Sequence, residues 1–189
     1  MEPVDRISYL EDRTPTPGRL VLVQRFVNTV DREHLREMLS SPERLGGVLG
    51  ELGLLAPDAS VGRDELASAL ELREALRALA LANNGVPAPG DAAETVERVA
   101  AAGGLGLRFV AGRPLLAGTA PGVAGALGTL AGVYATAVAD GTWSRLKACR
   151  RDVCGWLFYD RSRNRSARWC DMAVCGNRTK TRAYRARRR

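Results

Sequence analysis

Apolar residues recur along the first 140 residues mostly at three- and four-residue intervals, the spacing of amphipathic helices, so the pattern predicts a mainly α protein. The segment LVLVQRFVNTVD places Val23, Phe26, Val27 and Val30 at helical spacing and predicts a helix from about residue 20, although Leu20 to Val23 alone also reads as a short strand. Ser41-Pro42-Glu43 supplies a cap residue, a first-turn proline and an early acid. Leu45, Val48, Leu49 and Leu52 follow, and Gly53 ends the helix. The clearest amphipathic pattern runs over residues 63–82, with Leu66, Leu70, Leu72, Leu76 and Leu79 inward, and Arg63, Glu71, Glu74 and Arg77 toward water. Asn83-Asn84-Gly85 closes it.

A short helix is expected over 91–102, and LGLRFVAGRPLLAG then reads as two brief strands around Ala111-Gly112-Arg113-Pro114. From Pro121 to Asp140, Val123, Leu127, Leu130, Val133 (or Tyr134) and Val138 form a helical stripe. Gly125, Gly128 and Gly132 each cost this helix about 1 kcal/mol relative to alanine, so tertiary contacts must hold it, and its small residues suit close packing against the earlier helices. Residues 1–19, with Pro3, Pro15, Pro17 and Gly18 among charges, read as irregular.

Composition adds a division. The 189 residues are 46% hydrophobic and 26% charged, as in a folded protein of one or two domains. The net charge of +7 is unevenly spread: residues 1–140 hold 13 Lys+Arg against 18 Asp+Glu, and residues 141–189 hold 15 against 3. All 4 cysteines lie in the basic segment. The expected organisation is a helical domain over 1–140 and a small, basic, cysteine-bearing module over 141–189. No apolar run approaches the ~18 residues of a membrane span and the start lacks a secretory signal, so a cytoplasmic protein without a membrane partner is expected.

Cys149, Cys154, Cys170 and Cys175 form C-x4-C-x15-C-x4-C, two close pairs that suit tetrahedral Zn2+. In a reducing compartment four clustered cysteines are better read as thiolate ligands than as two disulfides. Four thiolates leave no open coordination position, so the site is structural. Each pair can form a knuckle, and the connector can leave and return as a hairpin with Trp156, Phe158 and Tyr159 as a mini-core, a polar turn at 160–164 and a return through Ser166 to Trp169. Gly176 suits a tight turn and Asn177 a helix cap. In the helix that follows, Arg178, Arg182, Arg185 and Arg189 form a cationic strip, with Arg187 and Arg188 as a tail. Arg178, Lys180, Arg182 and Arg185 are the candidate contacts to double-stranded DNA. Trp156, Tyr159 and Trp169 among arginines keep RNA as an alternative, and a zinc-stabilised protein-interaction finger is another.

RLKACRRDVCGWLFYDRSRNRSARWCDMAVCGNRTKTRAYRARR closely resembles the CGNR zinc-finger family through Cys175-Gly176-Asn177-Arg178, all four cysteines, Phe158-Tyr159-Asp160 and Trp169-Cys170. Phe26-Val27-Asn28-Thr29 and the order of helices, hairpin and final helix resemble the stress-induced transcription regulator domain that accompanies such fingers. The resemblance implies a DNA-binding finger joined to a regulatory domain, and so a transcription regulator in the stress response. The fold expected is mainly α with a small β-hairpin: a helical N-terminal domain, then a zinc-stabilised hairpin-plus-helix module.

Asn28, Thr29, Asp31 and His34 lie close enough in sequence to line a pocket for a small-molecule effector, with Asn28 and Thr29 the candidate contacts. Helix packing and local polar bonding are the competing roles. One histidine with no second imidazole, no phosphate-binding glycine loop and no nucleophile elbow argues against an enzyme. A homodimer reading paired half-sites also fits the alanine-rich helices.

Overall fold

The computed structural model describes residues 16–186 and residue 188; the expected irregular start up to residue 15, and Arg187 and Arg189, lie outside them. Six helices and three two-stranded antiparallel sheets follow in the order α1 (Leu20–Val27), β1 (Val30–Asp31), β2 (Arg36–Glu37), α2 (Pro42–Glu51), α3 (Arg63–Ala82), α4 (Asp91–Ala102), β3 (Leu105–Val110), β4 (Arg113–Gly118), α5 (Gly122–Ala139), β5 (Leu146–Ala148), β6 (Leu157–Tyr159) and α6 (Asn177–Ala186). This is the mainly α architecture that the periodicity predicts, except that α1 stops at Val27 and Val30, expected in that helix, lies in β1 of a hairpin the pattern did not predict.

Local chemistry explains the boundaries. Ser41 caps α2, its Oγ accepting from the Arg44 N–H at 3.4 Å, and Pro42 occupies the first turn. At the start of α3 the Glu65 carboxylate accepts from the Gly62 N–H at 2.7 Å, one half of a capping box. β3 and β4 pair from Leu105↔Gly118 to Val110↔Arg113, and Ala111 and Gly112 both adopt positive φ, the twisted two-residue turn that such hairpins favour.

α5 is buried on most of its circumference and packs on β4, α4 and α1. Its glycines serve the hairpin and the end of α4 more than the earlier helices: a Cβ on Gly132 would lie 2.7 Å from the Leu116 carbonyl, and one on Gly128 2.9 Å from Gly103 Cα. Val138, expected in the buried stripe, is instead 49% exposed. α5 also corrects the expectation about apolar runs, because by length and composition it is long enough to cross a membrane; here its apolar character is used in packing the protein interior.

The core does not stop at the end of α5. Gly141, in the left-handed region, leads to a tight 3-10 turn over Thr142–Arg145, where Trp143 meets Tyr134 edge to face with ring centroids 4.7 Å apart. Trp143, Leu146, Ala148 and Leu157 join Val23, Leu72, Leu76 and Leu130 in one buried cluster. A second, smaller cluster surrounds Cys149, Phe158 and Cys175.

Candidate metal centre and basic helix

The four cysteines come from three local structures. β5 delivers Cys149, and its antiparallel partner β6 begins just after Cys154, in the register Leu146↔Tyr159 to Ala148↔Leu157. The hairpin therefore closes around the first cysteine pair, whereas the spacing alone suggested a hairpin within the connector between the pairs. In the first knuckle the Cys154 N–H donates to the Arg151 carbonyl at 2.8 Å, Gly155 takes positive φ, and the Cys149 N–H donates to the Trp156 carbonyl at 2.9 Å. The connector returns as irregular chain, tied by the Arg150 N–H to the Arg168 carbonyl at 3.0 Å.

That return is held by an ion pair the sequence did not reveal. Lys147 Nζ donates to Asp160 Oδ2 at 2.7 Å and to the Arg165 carbonyl at 2.5 Å, while the Asp160 carboxylate accepts from the N–H groups of Ser162 at 2.9 Å and Ala167 at 3.0 Å. Both side chains are buried. Burial alone would raise the Asp160 carboxyl, but the hydrogen bonds from Lys147 and Ser162 hold it below the usual carboxylate range.

The second pair sits at the foot of α6. Asp171 Oδ1 accepts from the Val174 N–H at 3.0 Å and caps a wide turn, Met172–Gly176, that runs directly into α6. Asn177 is therefore inside the continuous helical path, and Asp171 performs the capping expected of it. Gly176 needs no positive φ; it is close approach that matters there, because a Cβ would meet the Met172 side chain and lie 3.6 Å from the Trp169 ring.

All four Sγ atoms lie within 4.8 Å of one another, with Cys154 to Cys170 at 3.7 Å and Cys170 to Cys175 at 3.8 Å. The sulfurs of a tetrahedral Zn–S4 site with ~2.3 Å bonds stand ~3.8 Å apart, so the cage has the size such an ion requires. None of the four is in a disulfide. The sulfurs compete for charge: hydrogen bonds from the Cys154 and Cys170 thiols pull Cys149 down, while the contact with Cys149 pushes Cys154 and Cys170 up. Four sulfurs at this spacing cannot all be thiolates unless a cation lies among them. Backbone N–H groups of Arg151 and Cys170 face the Cys149 sulfur, and that of Trp156 faces Cys154.

The finger is bound to the helical domain through buried polar groups. Asn28 Oδ1 accepts from the Leu157 N–H at 2.8 Å and its Nδ2 donates to the Leu157 carbonyl at 3.0 Å. Thr29 Oγ1 donates to the Phe26 carbonyl at 2.8 Å and accepts from Arg73 Nη1 at 3.3 Å. These two residues, expected as candidate effector contacts, are fully buried; the Asn28 carboxamide is spent on the junction with the finger and the Thr29 hydroxyl on bonds inside the helical domain. Asp31, at the end of β1, pairs with His34 of the β1–β2 loop at 2.6 Å.

Arg77, expected at the solvent face of α3, is 3% exposed and donates to the carbonyls of Gly155 and Val27, each at 2.7 Å. Burial lowers its guanidinium to about 10, still charged at neutral pH, with Glu74 opposing the shift. Asn83 and Asn84 do more than close α3: Asn83 Nδ2 donates to the Trp143 and Leu146 carbonyls and Asn84 Nδ2 to those of Ala148 and Arg168, all between 2.8 and 2.9 Å.

Residues 20–141 match the family model described as Putative stress-induced transcription regulator (ABATE). The chain belongs to that family. Residues 145–188 match the CGNR zinc finger, so an ABATE domain is followed by a CGNR finger, and both families are regulatory and non-catalytic. No curated protein matches the chain.

Beyond the CGNR tetrad, Lys180, Arg182 and Arg185 are exposed on α6, and Asn177, Arg178, Thr181, Arg182 and Arg185 edge a shallow notch along one side of the helix. The Thr179 hydroxyl donates back to the Cys175 carbonyl one turn earlier at 2.8 Å. Arg178 differs from its neighbours. It pairs with Glu33, from the β1–β2 loop of the ABATE domain. The same carboxylate takes a bidentate contact from Arg151, Nη1 at 2.7 Å and Nη2 at 3.0 Å, and Arg151 Nη1 also lies 3.8 Å from the Cys175 sulfur. The Arg151 hydrogen bond, with Arg178 adding its charge, holds the Glu33 carboxyl below its ordinary range despite partial burial.

Proposed function

We propose that this regulator binds double-stranded DNA in the cytoplasm through α6, with a structural Zn2+ held by Cys149, Cys154, Cys170 and Cys175. The observation that carries the reading is the continuity between the cysteine cage and the basic helix. Cys175 lies in the turn that becomes α6, so whatever fixes the four sulfurs also fixes the direction of a helix that carries Lys180, Arg182 and Arg185 and no acid. Zn2+ would offset half the charge of the four thiolates and cross-link β5, the first knuckle and the start of α6. The exposed cations would then meet phosphates at fixed spacing, the way a helix is aligned on a groove.

The test is zinc analysis of the full-length protein followed by selection from a random duplex pool across a salt series. One zinc per chain and a binding constant falling with a log–log slope of about −0.9 per phosphate contacted support the reading. Zinc-loaded protein that enriches no duplex defeats it, and a shallower slope with preference for unpaired strands would move the partner to RNA.

A further inference from the structure

Glu33 is placed where a nucleic-acid phosphate would be expected. Its two oxygens are straddled by Arg151 of the metal knuckle and Arg178 of the first turn of α6, so one anion bridges the two parts of the finger. Two guanidiniums converging on paired oxygens form the fork arrangement that arginine uses for carboxylate and phosphate alike. Yet this anion belongs to the regulatory domain, 118 residues before Arg151 and 145 before Arg178.

We propose that Arg151 and Arg178 form a phosphate-binding site of the finger which Glu33 occupies in the resting protein, an inference that rests on the DNA-binding reading for its natural occupant. Arg151 thereby joins the contact surface, a residue that the sequence pattern did not single out. The loop that delivers Glu33 is built to hold one shape at a cost. It spans residues 32–35 between two-residue strands, Asp31 Oδ1 accepts from the N–H groups of Glu33 and His34 at 3.0 and 3.1 Å, and Leu35 closes it in the left-handed region with its side chain 91% exposed. Glu33 is 24% exposed and Arg178 57%, so solvent and a ligand reach the pair from the α6 side. A duplex laid along Lys180, Arg182 and Arg185 brings a phosphate to Arg178, and that phosphate competes with the carboxylate for the same donors. The ABATE domain thus sets the affinity of the finger by supplying an internal competitor.

The experiment compares zinc-loaded full-length protein with the Glu33→Gln variant, which keeps the size and a hydrogen-bonding group but removes the charge. Guanidinium Nε–H signals of Arg151 and Arg178 are followed by NMR as inorganic phosphate is added, and duplex binding is measured across salt. Phosphate should shift both signals in the variant at concentrations that leave the wild type unmoved. Duplex affinity should rise severalfold, with a salt slope steeper by up to about 1.8 for two recovered contacts. Adding Arg178→Gln should abolish both gains. Signals indifferent to phosphate in Glu33→Gln, or weaker duplex binding by that variant at unchanged zinc content and unfolding midpoint, would overturn the proposal and make Glu33 a strut of the interface. Phosphate capture in the variant without binding of any duplex by either protein would support the anion site and sink the DNA reading instead.

Discussion

The carboxamide of Asn28 makes both backbone hydrogen bonds of Leu157, accepting its N–H at 2.8 Å and donating to its carbonyl at 3.0 Å, and so completes the open edge of β6 from the end of α1. Both residues are buried. The contact joins the ABATE domain to the finger through groups that would otherwise be stranded away from water, so its energetic weight lies in what its removal leaves behind. Asn28→Ala should lower stability by about 1–3 kcal/mol, because it strands the Leu157 N–H while the carbonyl keeps its contact with Gln24. Urea unfolding of the zinc-loaded protein checks this; a loss under about 1 kcal/mol would mean that water reaches the Leu157 N–H once the carboxamide is gone.

Removing the metal should have a divided effect. Trp143, Leu146, Ala148 and Leu157 belong to the main core, whereas Cys149, Phe158 and Cys175 form their own small cluster that depends on the cage. A strong chelator, or Cys170→Ser, should therefore abolish zinc binding and release amide protection over 149–156 and 160–186, while α1 to α5 keep theirs. Hydrogen exchange read residue by residue distinguishes this from collapse of the whole chain.

The helices were legible because their periodicity and their ends agree: α3 occupies 63–82 and α4 91–102 as the spacing predicts, and Ser41-Pro42 opens α2. The cysteine cage was legible for a different reason, since ligand type and spacing together restrict the chemistry. What escaped were contacts made over long separations by residues whose type suggests water. Arg73 and Arg77 continue the face of Leu66 and Leu70 at four-, three- and four-residue steps, a signal in plain view, but Arg73 was passed over and the charge of Arg77 argued for solvent, whereas Glu37, Gly155 and Val27 are their partners. The reach of Asn83 and Asn84 and the Glu33 bridge depend on the finger's docking, which no local pattern encodes.

Two glycine substitutions should have opposite signs. Gly47 lies exposed in α2, and a Cβ added there would have no neighbouring atom within 4 Å, so Gly47→Ala should stabilise by about 0.5–1 kcal/mol through helix propensity. Gly132 gains the same propensity, but its Cβ would meet the Leu116 carbonyl at 2.7 Å and Leu105 Cδ1 at 2.9 Å. Overpacking costs about 1–3 kcal/mol and should win, leaving Gly132→Ala less stable in thermal or urea unfolding.

Lys147→Met should be severe, since it leaves the Asp160 carboxylate buried without its cation; breaking such a pair costs about 3–5 kcal/mol. The wild-type carboxyl is held below its ordinary value, so its contribution is present above about pH 4 and is lost as pH falls through the folded value. In the variant, protonation instead relieves a buried charge. The stability gap between the two proteins should therefore narrow as pH falls toward and below about 4, and a pH-independent gap would show that Lys147 acts by packing rather than by charge.

The exposed cations of α6 give the last expectation a quantitative form. Arg182 and Arg185 border the same notch, and no carboxylate on α6 competes with them, in contrast to Arg178 with Glu33. If both meet phosphates, Arg182→Gln with Arg185→Gln should make the salt slope of duplex binding shallower by about 1.8 without altering zinc content. If one of them reads a base edge, the slope should change by about 0.9 only, while discrimination at one position of the site falls by about 1–3 kcal/mol. Measuring slope and sequence preference on the single and double variants separates positioning from reading, because phosphate contacts weaken all duplexes alike and base contacts do not.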